Sequence, residues 1–390
     1  MKVRMFLIML LAALLVLVVC EAQAWGDKDD HHDNVKQVNC SKGQTITHAL
    51  EECDGNPITI EVKGTCNENV TIDRDDVTLM ADPSGGAING LDPNKHTIDV
   101  RAGRTTIDGL TVTGGWNGIN VYGSGGLTIR NSTVQDTGRS GIVFSRGSYG
   151  AVDNCMVQKN GDRGIYIEGA SVSVTNSTIS YNKMGIQVAL GGNARIGVPT
   201  GQYAGNTISN NYGNGIFVFG GSSAAIGGNT INGNGTDFNM IYGISGIFVL
   251  NATATLVGSN TIANNKGVGV LAASSTVRMA EPGFGLPTHN TITGNGTGPS
   301  TIPRGGALAQ WGTSLVINDA DISNNIGNGV ALQGCSIASF VGPGPIPTVT
   351  GNSGFGLQCN DANSCSRFGG NTSGITGNMA GDVSPNCMGF

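Results

Sequence analysis

Between Gly164 and Val188 the chain reads Gly-Ile-Tyr-Ile-Glu-Gly-Ala-Ser-Val-Ser-Val-Thr-Asn-Ser-Thr-Ile-Ser-Tyr-Asn-Lys-Met-Gly-Ile-Gln-Val. Apolar residues alternate with polar ones in three short runs, around Ile165 and Ile167, Val172 and Val174, and Ile179, and a period of two is the mark of strands with one buried face. The runs are too short for helices, and Gly169, Asn176 and Asn182 stand between them as turn residues. After Asn182 the pattern begins again with Gly185-Ile186-Gln187-Val188. The same four-residue signature starts at Gly118, Gly141, Gly215, Gly246, Gly267 and Gly329, with weaker copies at Gly306 and Gly354. Where nothing is inserted the period is 21 to 23 residues, the range of solenoid repeats. Leucine-rich repeats share that length but need a leucine signature, whereas this chain offers Ile, Val, Thr, Asn and Gly. Three strands per turn, stacked coil on coil about 4.8 Å apart, give three parallel sheets around a narrow core. Ten or more such coils form a rod of roughly 50 Å. Ile142, Ile165, Ile186, Ile216 and Ile247 are expected to form one inward column.

Asparagine marks the turns. Asn131, Asn154, Asn176, Asn206, Asn229, Asn260 and Asn290 are read as one column between the second and third strands, and Asn160, Asn182, Asn210, Asn234, Asn264 and Asn324 as another before each Gly-Ile strand. A side-chain amide donates to one neighbouring coil and accepts from the other, which satisfies turn backbone away from water. Some of these also read as glycosylation sequons, such as Asn131-Ser132-Thr133, but the ladder role accounts for them more simply.

Composition agrees. The 390 residues include 63 Gly, with 12% charged and 5% aromatic residues, about twice the usual glycine and half the usual charge. With 39% hydrophobic residues a core is still affordable, and a formal charge of −6 argues against a nucleic-acid partner. Lys2 and Arg4 precede an apolar run from Met5 to Val19, and Ala22-Gln23-Ala24 offers small residues for cleavage after Ala24. Bulky Val19 ahead of Cys20 disfavours lipid attachment, and no later apolar run is long enough for a membrane span. A secreted or periplasmic chain with a cleaved signal peptide is expected. Eight cysteines then remain, clustered at the two ends and without zinc-type spacing, so disulfide staples are expected and no metal site. Coil spacing suggests Cys335 paired with Cys359, with Cys365 and Cys387 closing the C-terminal cap. Pairing among Cys40, Cys53 and Cys66 stays open, and Cys155 is read as an unpaired thiol in the stack.

On these repeats the chain resembles the pectate-lyase-like superfamily of right-handed parallel β-helices, specifically its large bacterial branch, over roughly Ile58 to Asn378. The expected fold is all-β, a single right-handed parallel β-helix of about 10–12 coils. Thr45 to Cys53 resembles the short helix that plugs the N-terminal end in such proteins, with Ile46, Ala49, Leu50 and Cys53 facing the core. The organisation read from the sequence is a signal peptide (1–24), a polar flexible segment (25–39), a disulfide-containing cap (40–66), the helix proper (67–360) and a C-terminal cap (361–390). Asp27, Asp29, Asp30, His31, His32 and Asp33 are read as a solubilising tail before a metal site.

The resemblance implies that substrate lies along the Gly-Ile sheet and the turns before it. Two of those turns are enlarged, at Thr236 to Tyr242 and Gly296 to Gly305. Outward positions on this sheet carry Tyr122, Tyr166, Gln187, Phe217, Phe219 and Phe248 as candidate ligand-binding residues, an exposed row suited to sugar faces. Asp136, Arg139, Asp162, Arg163 and Glu168 are candidate catalytic residues: a β-elimination lyase needs carboxylates, with calcium as its cofactor, and a cationic base, while an inverting hydrolase needs paired carboxylates. Against catalysis, no Gly-His-Gly string of polygalacturonase-like hydrolases occurs, Asp75-Asp76 precedes the regular coils, and Asp92-Pro93-Asn94-Lys95-His96 departs from the Asp-Pro-His-Asp of alginate epimerases. The five His, at His31, His32, His48, His96 and His289, avoid the Gly-Ile strands. The function expected is a carbohydrate-interacting β-helix whose partner is a polysaccharide or cell-surface glycan, with binding or surface structure ahead of polysaccharide cleavage and no cofactor. A threonine column on the third strand, Thr133, Thr178, Thr207, Thr230, Thr261 and Thr291, raises ice binding or an adhesin-like rod as lesser alternatives.

Overall fold

The computed structural model describes residues 35–53, 55, 57–197, 205–237, 243–257, 259–279, 289–301, 303–318, 320–340, 346–360 and 366–389. Every strand pairing among them is parallel, and partners lie one coil apart (for example Ile142↔Ile165 and Val152↔Val174). The Gly-Ile sheet stacks thirteen strands, from Val70–Ile72 to Gly381–Val383. The second and third faces join into one sheet of 26 strands, because Ile58–Asn67 and Val77–Gly90 bend around the corner and pair on both. The expected column holds: Ile142, Ile165, Ile186, Ile216 and Ile247 are in register, and all are fully buried.

The turns show why the composition is so rich in Asn and Gly. Asn160, Asn182, Asn211, Asn234, Asn265, Asn295, Asn325, Asn352 and Asn378 form one continuous buried ladder. Asn211 is typical. Its Oδ1 accepts from the backbone N–H of Asn182 at 3.0 Å, and its Nδ2 donates to the carbonyl of Ile179 at 3.1 Å and to Asn234 Oδ1 at 2.9 Å. Glycines of the Gly-Ile strands pack against this ladder, among them Gly141, Gly164, Gly185, Gly215 and Gly246. A Cβ on Gly164 would stand 2.8 Å from Asn182 Nδ2 and 2.9 Å from the carbonyl oxygen of Gly185, so the coils approach too closely for any side chain there. A second ladder runs through Asn206, Asn229, Asn260 and Asn290, with Ser132, Cys155 and Ser177 holding the same place in earlier coils.

Both columns read from the sequence therefore need a correction of one residue. Asn131, Asn154 and Asn176, and likewise Asn210, Asn264 and Asn324, stand just before the ladder position, in left-handed backbone with φ of 48–56°. Asparagine suits both adjacent sites, one for its tolerance of positive φ and one for its amide, so composition alone blurs the register.

At the N-terminal end helix α1 (Ile46–Glu52) closes the core as expected, N-capped by Thr45, whose hydroxyl accepts from the His48 N–H. Ile46 and Ala49 are buried, and Leu50 and Cys53 pack against the core. None of the described helices is long and apolar enough to cross a membrane, and the expected signal peptide lies outside the described residues. Disulfides join Cys40 to Cys66 and Cys359 to Cys387. The expected pairs Cys335–Cys359 and Cys365–Cys387 are thereby overturned. Cys359 is in register with Leu332 and buried in the core, whereas Cys335 sits in an exposed left-handed turn three residues beyond Leu332, so the two do not occupy matching positions of neighbouring coils. Cys335 is itself disulfide-bonded. Cys155 is unpaired and buried, as the sequence suggested, and burial pushes its thiol up to about 11.

Candidate functional site

The middle outward column of the Gly-Ile sheet reads Asp99, Asn120, Val143, Tyr166, Gln187, Phe217, Phe248, Leu271, Leu308 and Ala331 on successive coils. It changes from polar to apolar at Phe217. The exposed aromatic row expected there is not what forms. Phe217 is 4% and Phe248 7% exposed, stacked with ring centroids 4.9 Å apart, and Phe219 stacks on Phe217 at 5.0 Å. With Met184, Leu271, Leu308 and half-buried Phe219 they make a second hydrophobic cluster on the outside of the coil. Gly243, which follows the enlarged turn, lies beside the Phe248 ring, where an added Cβ would be 3.6 Å away. These rings are thus largely occupied by the protein itself.

The early coils are different. On the corner preceding the Gly-Ile strands, Trp116, Arg139 and Asp162 stack by backbone hydrogen bonds on consecutive coils. The Arg139 guanidinium lies 5.2 Å from the Trp116 ring centroid and 3.5 Å from Asp162 Oδ2. The same Asp162 oxygen accepts from Arg163, whose Nε donates to Gln187 and whose guanidinium lies 4.8 Å from the centroid of the Tyr166 ring. On the far edge of the sheet Arg146 pairs with Glu168 at 3.3 Å, and Arg101 is held by Asp99 at 2.8 Å while lying 5.9 Å from the Tyr122 ring centroid. Three aromatic–arginine pairs, each with its arginine tied to a carboxylate, therefore stand within a few coils. Burial raises the Tyr166 phenol, and burial lowers the His96 imidazole, whose Nε2 is 3.3 Å from the Tyr122 hydroxyl.

Of the residues singled out in the sequence, Arg139, Asp162, Arg163, Tyr166 and Gln187 come together, Gln187 buried and not exposed; Glu168 and Tyr122 line the opposite edge. Asp136 does not join them. It occupies the left-handed turn after the third strand, with φ 54°, in the place that Lys159 and Asn210 take in other coils. Trp116, Arg101, Asp99 and His96 were missed. The offset would have found Trp116, which stands two residues before its Gly-Ile strand just as Arg139 and Asp162 do. Among the described residues Asp99 Oδ1, Asn120 Nδ2 and His96 Nδ1 are buried without a hydrogen-bond partner, and no three His, Cys, Asp or Glu side chains converge as a metal site would require.

Over 117 residues the chain is 35% identical to a cell surface glycoprotein of Methanothermus fervidus, a match that covers 29% of this chain and 19% of that much longer protein. Its coil is similar to the A-module of the Azotobacter vinelandii mannuronan C-5 epimerase AlgE6 (14% identity, 88% and 92% of the two chains, TM-score 0.41). It is also similar to the pectate lyase Pel9A (12%, 73% and 76%, 0.40) and to PfbA, a surface adhesin of Streptococcus pneumoniae (10%, 90% and 92%, 0.40). The family of the right-handed β-helix region matches residues 58–198 and 196–316, and the chain belongs to that family.

Proposed function

We propose that this protein is an exported, non-catalytic binder of polysaccharide, and that the early-coil part of its Gly-Ile face holds an acidic glycan. The observation that carries the reading is the set of Trp116–Arg139, Tyr122–Arg101 and Tyr166–Arg163 pairs. Aromatic rings offer flat apolar area to sugar faces at low entropic cost, and a guanidinium beside each ring matches carboxylate geometry. Trp116 and Tyr122 are each 42% exposed, so both rings retain free surface. Arg101, Arg139, Arg146, Arg163 and Lys183 stand against Asp73, Asp99, Asp162 and Glu168 on this face, a slight local excess of cations on a chain of net charge −6. Compartment and surface role remain part of the proposal, supported by the disulfides, which persist in oxidising environments.

A lyase or hydrolase along the same groove is the competing reading, and the ion pairs disfavour it. Asp162 Oδ2 is committed to two guanidiniums and Glu168 to Arg146. A carboxylate held this way is poorly placed to donate a proton or to take up the calcium a lyase would use. The experiment is to incubate the purified protein with polygalacturonate, alginate and neutral glucans, following binding and new chain ends together. Binding of an acidic glycan without new ends is the expected result. Unsaturated ends absorbing in the ultraviolet, or new reducing ends, would overturn the non-catalytic reading.

A further inference from the structure

We infer that the second sheet carries a separate binding site, for a neutral oligosaccharide lying along the coil axis. A groove of about 570 Å³ opens there over the early coils, within the range of roughly 300–1,000 Å³ in which small ligands are held. Thr78, Thr106 and Thr128 form its floor, in register on consecutive coils, and among the described residues none of the three hydroxyls has a hydrogen-bond partner. Beyond Thr128 the column continues with Ala151, too small to block the path.

One wall is the Tyr149 ring. Its hydroxyl donates to the carbonyl of Gly103 at 2.6 Å, so the side chain reaches back over two coils. It crosses Gly126, where an added Cβ would stand 2.5 Å from Cζ of the ring; any side chain at 126 would lift the tyrosine away. Pinned at both ends, the ring remains 49% exposed. A fixed, half-exposed aromatic face whose own polar group is already satisfied offers apolar contact and little else, and its rotamer entropy is spent before any ligand arrives.

Charge decides the class of ligand. Arg104 lines the groove on the same side as Tyr149 but is bonded to Asp76 and lies 3.6 Å from Asp75, which leaves no uncompensated cation for a polyanion. The free polar groups are hydroxyls, each both donor and acceptor, repeating at the coil spacing of about 4.8 Å. That spacing is close to the length of one residue in an extended pyranose chain. Hydroxyl rungs at sugar spacing beside an aromatic wall fit a neutral, extended oligosaccharide, unlike the arginine-rich Gly-Ile face, and the site does not depend on the reading proposed for that face.

The test is calorimetric titration of the protein with cellohexaose, mannohexaose and xylohexaose at millimolar concentration. At least one is expected to bind. Thr106→Val with Thr128→Val keeps shape and removes two hydroxyls, and is expected to weaken that binding roughly tenfold with thermal stability unchanged. Tyr149→Ala is expected to weaken it at least as much. Trp116→Ala with Tyr122→Ala is expected to leave it untouched while reducing binding of acidic glycan. The inference is overturned if none of the three hexasaccharides binds, or if one binds and the threonine double variant binds it as tightly as the parent. Loss of stability in Tyr149→Ala with unaltered hexasaccharide affinity would equally overturn it, showing the ring to be a structural plug.

Discussion

Two neighbouring asparagines, Asn210 and Asn211, separate the roles that the turns combine. Asn211 is fully buried, and its amide bridges the coils on either side. Asn211→Ala strips the Asn182 N–H of its acceptor, removes one donor from the Ile179 carbonyl, breaks the contact to Asn234 Oδ1, and leaves a void. Each buried backbone group stripped of its partner costs about 1–3 kcal/mol, and the void adds to that, so the substitution should cost at least about 3 kcal/mol. In a domain of this size that lowers Tm by roughly 4 °C. Asn210, by contrast, is exposed in left-handed backbone, the place that Gly233 and Gly294 occupy in later coils. Asn210→Gly should therefore stay within about 0.5 kcal/mol of the parent. Urea unfolding of both variants, followed by far-ultraviolet circular dichroism, gives the two numbers side by side. Equal losses at the two positions, or a harmless Asn211→Ala, would refute the ladder register.

Gly164→Ala would push a Cβ to 2.6 Å from Ile179 Cγ2, and this overpacking should cost about 1–3 kcal/mol, whereas Ile186→Asp should cost several kcal/mol by burying an unpaired carboxylate; thermal melts check both. Cys155, with its thiol pushed up to about 11 by burial, should resist iodoacetamide at pH 8 in the folded protein and react after unfolding; peptide mass mapping reads this, and full labelling of the native protein would contradict it. Burial also lowers the His96 imidazole from its ordinary 6.5. The unfolded chain then takes up a proton near pH 6.5 that the folded chain resists, so this contribution is whole above that pH and diminishes as pH falls through 6.5 toward the depressed native value. His96→Gln should flatten that part of the stability–pH curve measured between pH 5 and 7.5, and an unaltered curve would remove His96 as its source.

The coil itself was legible because its signal repeats. Ile165, Ile186 and Ile216 recur in one context with one outcome, and each copy reinforces the reading of the next. The asparagine columns were legible in kind but not in register, since Asn131 and Asn206 differ by a single position that only the threonine after them reveals. The disulfides failed for a positional reason: sequence separation placed Cys335 and Cys359 on neighbouring coils, but not at matching positions, since Cys359 is in register with Leu332 and Cys335 lies three residues beyond it in a turn. On the outer face alternation correctly sent Phe217 and Phe248 outward. Whether an outward ring meets solvent depends on what the turns lay over it, and a strand period carries nothing about that. Trp116 was hidden for the converse reason: it lies in a turn, outside the strands whose alternation signals which side chains face outward.

The most direct test of the proposed role is the affinity of the parent and of Trp116→Ala with Tyr122→Ala for polygalacturonate and alginate, measured by affinity electrophoresis alongside a thermal melt of each. Both rings lie outside the coil and are 42% exposed, so their loss should leave Tm within about 2 °C of the parent. The account predicts that the parent binds at least one of these acidic glycans and that the double variant binds it at least about tenfold more weakly at unchanged stability. A parent that binds neither glycan, or a double variant that binds as tightly as the parent, would contradict it.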